Sequence, residues 1–354
     1  SCTDRSLVVW NTVYTPGQPL PPTFLSPLQS FAHGEGATDV VFAADNVTLW
    51  SAGTDKMVRG WKVAGDTPVR NFPHPNHVDS VAFHPTAPTL ASGGHDGKVR
   101  FFDLVKGVQL REINAHSTKD ATMVYSVVFS PDGKQLASAG YDGIVKLWDA
   151  NTGALIREFK TIPLRPSHQV AARMIGLLGS PHREGPLVAP CTLLASLDNK
   201  AFDKGHEDAV YSLAFSPDGK QIASGSAGLE RVVKIWNIAD ASLAHNLDNP
   251  KLKRRSLTAP QSHPGWVYGL RYTPDGKRLV SVGDAPLNKG YLAVWDPAAG
   301  KLLHGEEMPL GIFYSVAVAP DGKLLALGAG PRGRPTPAPE FNSAYLMKMP
   351  ETGK

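Results

Sequence analysis

Apolar and polar positions alternate along most of this chain in short runs, and the runs return in a fixed order. The clearest copy spans Val124 to Gly153, VYSVVFSPDGKQLASAGYDGIVKLWDANTG. VYSVVF and QLASAG are apolar and rich in β-branched or small residues, while IVKLWD alternates and ends on Trp148-Asp149, so three short strands are predicted. Between the first two, Ser130-Pro131-Asp132-Gly133 has hairpin-turn chemistry: Pro presets the first corner, Asp bonds the backbone ahead of it, and Gly takes the positive φ. The phrase recurs, which makes this a repeat protein. Its first strands close on Phe42, Phe83, Phe129, Phe215, Tyr272 and Val318, at spacings of 41, 46, 86, 57 and 46 residues. A four-stranded unit takes roughly 40–45 residues, so the spacing of 86 leaves room for a worn repeat over 161–204, with His168 at its start. A helical insertion is the alternative there, because SHQVAARMIGLL also has helical spacing.

The third strands are MVRGWKV, KVRFFDL, IVKLWDA, VVKIWNI and YLAVWDP, ending at Trp61, Phe102, Trp148, Trp236 and Trp295. Together with the turns they resemble the WD-repeat (tryptophan–aspartate) family, in its bacterial-type form, over nearly the whole chain. The resemblance implies an all-β fold, a β-propeller of four-stranded blades around a central channel. Blades are then expected near 33–73, 74–113, 114–160, 161–204, 205–250, 262–305 and 306–350. SLVVWN at 6–11 copies a third strand, and SAYLMKMPETGK at the other end copies one and stops. The segment 1–32 is therefore expected to complete the last blade, which removes two raw sheet edges and gives seven blades in one domain. The in-phase start at Ser1 predicts a chain cut from a longer one.

Several repeats carry a His, a Ser and an Asp, as a catalytic triad does: His33, Ser51 and Asp55 with Trp61, and His116, Ser138 and Asp142 with Trp148. The resemblance gives these tetrads a structural role, a hydrogen-bonded chain from the loop that leads into a blade to the Trp indole. A nucleophile would be unique, whereas this pattern repeats. The PDGK turns lack the alternating oxygen ligands and closing Glu of a calcium loop. His182 and His304 have no metal-ligand spacing, and neither a P-loop nor a dinucleotide fingerprint is present. No catalysis, cofactor or metal is expected.

Composition narrows the picture further. Hydrophobic residues make up 42% of the 354 and charged residues 19%, enough for sizeable cores and against general disorder. Cys2 and Cys191 alone provide no disulfide framework or CxxC site. A net charge of +4 is too mild to predict a nucleic acid partner. No apolar run approaches membrane-spanning length and no signal peptide opens the chain, so no membrane insertion is expected. A monomeric domain is the expectation, with compartment open and the cytoplasm as default.

Binding is expected where the repeats differ. The loops between second and third strands are extended at 226–232, 283–291 and 328–343, and the loop 240–263 holds KLKRR. Variable loops on a rigid frame carry specificity. Near the start of the first strand stand Tyr125, Tyr211, Tyr268 and Tyr314, with Trp266 two residues before Tyr268. The first two repeats offer Gly36, Thr38, His77 and Asp79 instead. The resemblance places these positions, and His95 and Tyr141 before the turn Asp, on the top rim of the channel. Tyr and Trp give large contact area at low entropy cost. Strand propensity at a half-buried site also accounts for a recurring VYS. Arg231, Lys289, Arg254, Arg255, Arg332 and Arg334 are expected to make the rim basic. The expected function is a non-catalytic scaffold for a protein or peptide partner, acidic or phosphorylated with an apolar anchor. The alternative is a regulatory propeller of a larger enzyme, kinase or cytochrome-type, whose catalytic part lies outside this chain.

Overall fold

The structure, a computed structural model, describes residues 6–10, 27–43, 45, 47–65, 67–116, 123–159, 205–252, 260–330 and 343–351. Alternating short strands and Gly-containing turns produce an all-β architecture. Strands β1 (Ser6–Trp10) and β2 (Pro27–Ala32) form a two-stranded antiparallel sheet. The first blade is β3 (Ala37–Phe42), β4 (Thr48–Gly53), β5 (Met57–Lys62) and β6 (Pro68–Pro73). The second is β7 (Val78–Phe83), β8 (Thr89–Gly94), β9 (Lys98–Asp103) and β10 (Val108–Asn114). The third is β11 (Val124–Phe129), β12 (Gln135–Gly140), β13 (Val145–Asp149) and β14 (Leu155–Phe159). The fourth is β15 (Val210–Phe215), β16 (Gln221–Ser226), β17 (Val233–Asn237) and β18 (Leu243–Leu247). The fifth is β19 (Val267–Tyr272), β20 (Leu279–Ala285), β21 (Lys289–Asp296) and β22 (Lys301–Met308). The sixth has three described strands, β23 (Ile312–Val318), β24 (Leu324–Gly330) and β25 (Ser343–Lys348). Each blade is an antiparallel meander, and the inner strands β3, β7, β11, β15, β19 and β23 face one central channel.

The turns do what their residues demand. In the third blade Ser130 Oγ bonds Asp132 at 2.6 Å, Asp132 accepts from Lys134 N–H at 3.0 Å, and Gly133 has φ +73°. The copies at Gly219, Gly276 and Gly322 have φ of +69°, +70° and +70°. The core lies between blades, where the small residues of the second strands let neighbouring sheets close in. A Cβ at Gly93 would stand 2.8 Å from Val124 Cγ1, and one at Gly225 2.6 Å from Val267 Cγ1, so only Gly fits these contacts.

Two expectations fall wholly or partly on residues outside those described. The blade expected over 161–204 falls on residues outside those described, and its two neighbours pack directly on each other. Phe159 of β14 seats against Trp236 at 6.0 Å, and Ala137, Val145 and Leu147 share a core with Val210, Leu213 and Ile222. The third and fourth described blades are thus direct neighbours, and the described residues form six blades. Among the described residues of the N-terminal segment, neither strand pairs with β25 of the last blade. β1 has its own partner in β2, Ser6 opposite Ala32 and Val9 opposite Gln29. Phe31 of β2 then packs 5.0 Å from Trp61, two residues before His33, as Phe72 packs 4.4 Å from Phe102, two residues before His74. The pair β1–β2 thus stacks on the first blade in the manner of third and fourth strands.

Candidate functional site

The same irregularity interrupts every inner strand. In the third blade Val124 pairs with Gly140 and Ser126 with Ala139, so Tyr125 has no opposite number in the ladder. The register slips in the same way around Thr38, Asp79, Tyr211, Tyr268 and Tyr314. Such a β-bulge leaves its extra residue unpaired, bends the strand and re-aims the side chain. Six bulges deliver six side chains to one channel of about 510 Å³, which Thr38, Asp79, Tyr125, Tyr211, Tyr268 and Tyr314 all line.

The aromatic members form a continuous arc. Tyr125 and Tyr211 stack at 4.3 Å with an interplanar angle of 11°. Tyr211 meets Tyr268 edge-on at 5.7 Å and Trp266 at 5.6 Å, and Tyr268 meets Tyr314 at 5.0 Å. At the other end His95 stands 6.3 Å from Tyr125 and 5.1 Å from His77. All six arc residues from His95 to Tyr314 are half-buried, and Tyr141 is 53% exposed. Eight of the ten expected rim residues therefore share one end of the channel: Tyr125, Tyr141, Tyr211, Trp266, Tyr268, Tyr314, His77 and His95.

Charge at this end differs from expectation. Asp79 Oδ2 lies 2.6 Å from His95 Nε2, and this hydrogen bond raises the His95 imidazole above its ordinary range, against the pull of burial. Burial raises the phenols of Tyr125 and Tyr211, and the Asp79 charge pushes both further up. Deeper in the channel Asp39 accepts from Ser80 Oγ at 3.0 Å and Val81 N–H at 2.9 Å; burial raises its carboxyl and the Arg271 charge opposes this. Arg231 donates to the Pro264 carbonyl at 2.6 Å and the Gly228 carbonyl at 3.1 Å, with φ +53°. Lys289 pairs with Glu307 at 3.4 Å. Neither Arg231 nor Lys289 lines the channel. Arg254, Arg255, Arg332 and Arg334 lie outside the described residues. The expected basic rim therefore falls mostly on residues outside those described.

The tetrads close as the resemblance implies. His33 reaches Ser51 Oγ at 2.6 Å and Asp55 at 3.2 Å, and the Trp61 indole donates to Ser51 at 2.8 Å. Arg59 adds a 2.5 Å ion pair to Asp55. In the third blade His116 lies 2.8 Å from Ser138 and 2.9 Å from Asp142, and Trp148 donates to Ser138 at 2.8 Å. Sequence reading missed three more. His206 meets Ser224 at 2.6 Å under Trp236, with Glu230 at 2.7 Å in place of Asp and Lys234 2.9 Å beyond it. His74 meets Ser92 at 2.8 Å under Phe102, which offers no N–H. His263 meets Ser281 at 2.7 Å under Trp295, while its Nδ1 is buried without a hydrogen bond. Burial lowers His74 to about 4 and His263 to about 3. A step of 18 residues from His to Ser, shared by His33, His74, His206 and His263, was the available signal. Each of these Ser hydroxyls is at most 1% exposed and occupied by its His, so none is placed to attack a substrate.

Comparison with known proteins supports the repeat. The family model described as "WD domain, G-beta repeat" matches residues 66–103, 107–149, 197–237 and 254–296. The chain is 36% identical over 98 residues to apoptotic protease-activating factor 1 of Rattus norvegicus, a match spanning 28% of this chain and 7% of that protein. It is 33% identical over 110 residues to protein HIR1 of Cryptococcus neoformans, spanning 30% of this chain and 11% of the relative. With DDB1- and CUL4-associated factor 13 of Dictyostelium discoideum it shares 33% over 81 residues, 23% of this chain and 15% of that protein. These relatives are eukaryotic, so the bacterial-type label gains nothing from them. On its recurring strands, its four-stranded meanders and the four matched repeats, the chain belongs to the WD-repeat family of β-propellers.

Proposed function

We propose that the chain is a non-catalytic interaction scaffold that docks a segment of a partner protein across the channel mouth. The supporting observation is the repeated bulge: it puts one side chain per blade at a common mouth, and four of the six are tyrosines joined to Trp266 in one arc. Half-buried Tyr and Trp on a rigid frame are the anchors that carry binding energy at interfaces. For an acidic or phosphorylated partner, Arg231 is held by the Pro264 and Gly228 carbonyls and Lys289 pairs with Glu307 at the surface.

The test is a peptide-display selection on the wild-type chain, repeated on Trp266→Ala/Tyr268→Ala. Peptides enriched on the wild type should lose binding to the double variant, while its melting temperature stays within a few degrees. Equal enrichment on both would place docking elsewhere. The matched relatives are far longer than the matched segments, 7% and 11% of their length, which favours a second reading in which this propeller serves as one module of a larger protein.

A further inference from the structure

The six bulge positions hold four tyrosines, one threonine and one aspartate; none is a cation. From this ring we infer that the channel mouth takes a cationic side chain, the lysine or arginine of an extended peptide, over the Tyr125–Tyr211–Trp266–Tyr268 arc with Asp79 as its counter-charge. The inference rests on the docking reading above and names the chemistry of what docks.

Three observations carry it. The first is the arc itself. Aromatic faces are the negative part of the ring quadrupole and attract ammonium and guanidinium groups within about 6 Å of the centroid. Here four such rings lie within one continuous set of contacts of 4.3–6.0 Å. The second is the local field. Asp79 is the carboxylate whose charge acts on both Tyr125 and Tyr211, and it sits 2.6 Å from His95, which stands 6.3 Å from Tyr125 at the end of the arc. A phosphate or carboxylate brought to the same place would meet Asp79 as a like charge.

The third is how the channel's charges are answered. Arg271 of β19 lines the channel, and its charge acts on Asp39. Asp79 is answered by His95, whose charge depends on a proton it can give up. A ligand ammonium or guanidinium carries a permanent charge and can take the place of that proton beside Asp79. The groups that face this position are His77, His95, Asp79, Tyr125, Tyr141 and Tyr211. Of these, only the two imidazoles can carry positive charge, so among the described residues facing Asp79 there is no fixed cation to repel the ligand.

The experiment uses five fluorescent 15-residue peptides that share one neutral Gly/Ser/Leu background and differ at the central residue: arginine, lysine, norleucine, glutamate or phosphoserine. Each is titrated against the full chain, Asp79→Asn, Asp79→Glu and Trp266→Ala/Tyr268→Ala at pH 7.5. The arginine and lysine peptides should bind at least about 10-fold tighter than the norleucine and glutamate peptides. Asp79→Asn should erase that preference, and Asp79→Glu, which keeps the charge, should restore most of it. Tighter binding of the glutamate or phosphoserine peptide would overturn the cationic assignment while leaving docking at the mouth intact. Binding of all five that is indifferent to Trp266→Ala/Tyr268→Ala, or of none, would overturn both.

Discussion

Replacing Ser138 and Ser92 by alanine in separate variants measures what holds a blade together. Ser138 Oγ accepts the Trp148 indole N–H at 2.8 Å and lies 2.8 Å from His116 Nε2. His116 Nδ1 faces the Asp142 carboxylate, which accepts its proton, so Nε2 in turn accepts the Ser138 hydroxyl proton. Trp148 is 6% exposed and His116 1%, so water cannot replace the lost hydroxyl for either. An orphaned buried group costs about 1–3 kcal/mol, which puts Ser138→Ala at about 2–5 kcal/mol. Ser92 sits in the same place in the second blade, but its indole is missing. Phe102 has no donor, and Ser92 serves only His74 Nε2 at 2.8 Å. Ser92→Ala should therefore cost about 1–3 kcal/mol, less than Ser138→Ala by one orphaned indole. The substitution is the same in both blades, so its intrinsic effect on the unfolded chain largely cancels. Because repeats open locally, native-state hydrogen exchange is the assay, read at the amides of β7–β10 for one variant and β11–β14 for the other. A loss in the second blade equal to or larger than that in the third would refute the argument that the serine–indole bond is a principal staple.

Other outcomes follow from the buried charges. Glu230→Ala removes the partner of Lys234, whose side chain is 2% exposed, and should destabilise by about 3–5 kcal/mol, whereas Glu230→Gln with Lys234→Met should recover most of that in thermal melting. Acid should unfold the protein through its buried histidines: His74 and His263 titrate in the folded state at about 4 and about 3, below the ordinary 6.5. The folded state refuses protons that the unfolded chain accepts, so their contribution is intact above pH 6.5 and declines as pH falls toward 3. Burial alone would raise the Glu230 carboxyl, but His206 and Lys234 hold it at about 2, so its contribution is present above its ordinary 4.5 and lost below, in the same direction. A melting temperature that does not fall between pH 7 and 4, or that falls as steeply in His263→Gln, would count against this.

Much of the fold was legible because each blade repeats its own local chemistry. Turns at Gly133, Gly219, Gly276 and Gly322 and strands ending on Trp61, Trp148, Trp236 and Trp295 are written in residues that have few other uses. What was not legible is which sheet meets which. The 86 residues from Phe129 to Phe215 are close to two repeat lengths, and chain length alone does not tell an insertion from a further blade. Residues 161–204 lie outside those described, and the seating of Phe159 on Trp236 is what the structure adds. The strand PLQSFA was likewise hidden, since Pro27 opens it and its side chains at Leu28 and Ser30 are exposed. Its one recognisable mark was Phe31 two residues before His33.

The rim shows a different balance: its repeated phase is written in the sequence, whereas the partners of its charges are not. A repeat fixes phase, so Tyr125, Tyr211, Tyr268 and Tyr314 could be matched without knowing that a bulge turns each of them out of the ladder. Whether a cation serves a surface, however, depends on acceptors brought from elsewhere in the chain. Arg231 and Lys289 were counted toward a basic rim, yet Pro264 lies 33 residues from the one and Glu307 18 residues from the other. Asp79 reads in sequence as one polar residue in a first strand, VDSVAF. It becomes the informative member only once its bulge is seen to be the same as that of the tyrosines. The backbone at the six bulges is set by a shared ladder, so one frame accepts different side chains there, although Thr38 Oγ1 also donates to the Val78 carbonyl of the next blade. Five of the described blades fill the bulge with a neutral hydroxyl-bearing side chain and one fills it with a carboxylate, and the proposed preference for a cation turns on that single departure.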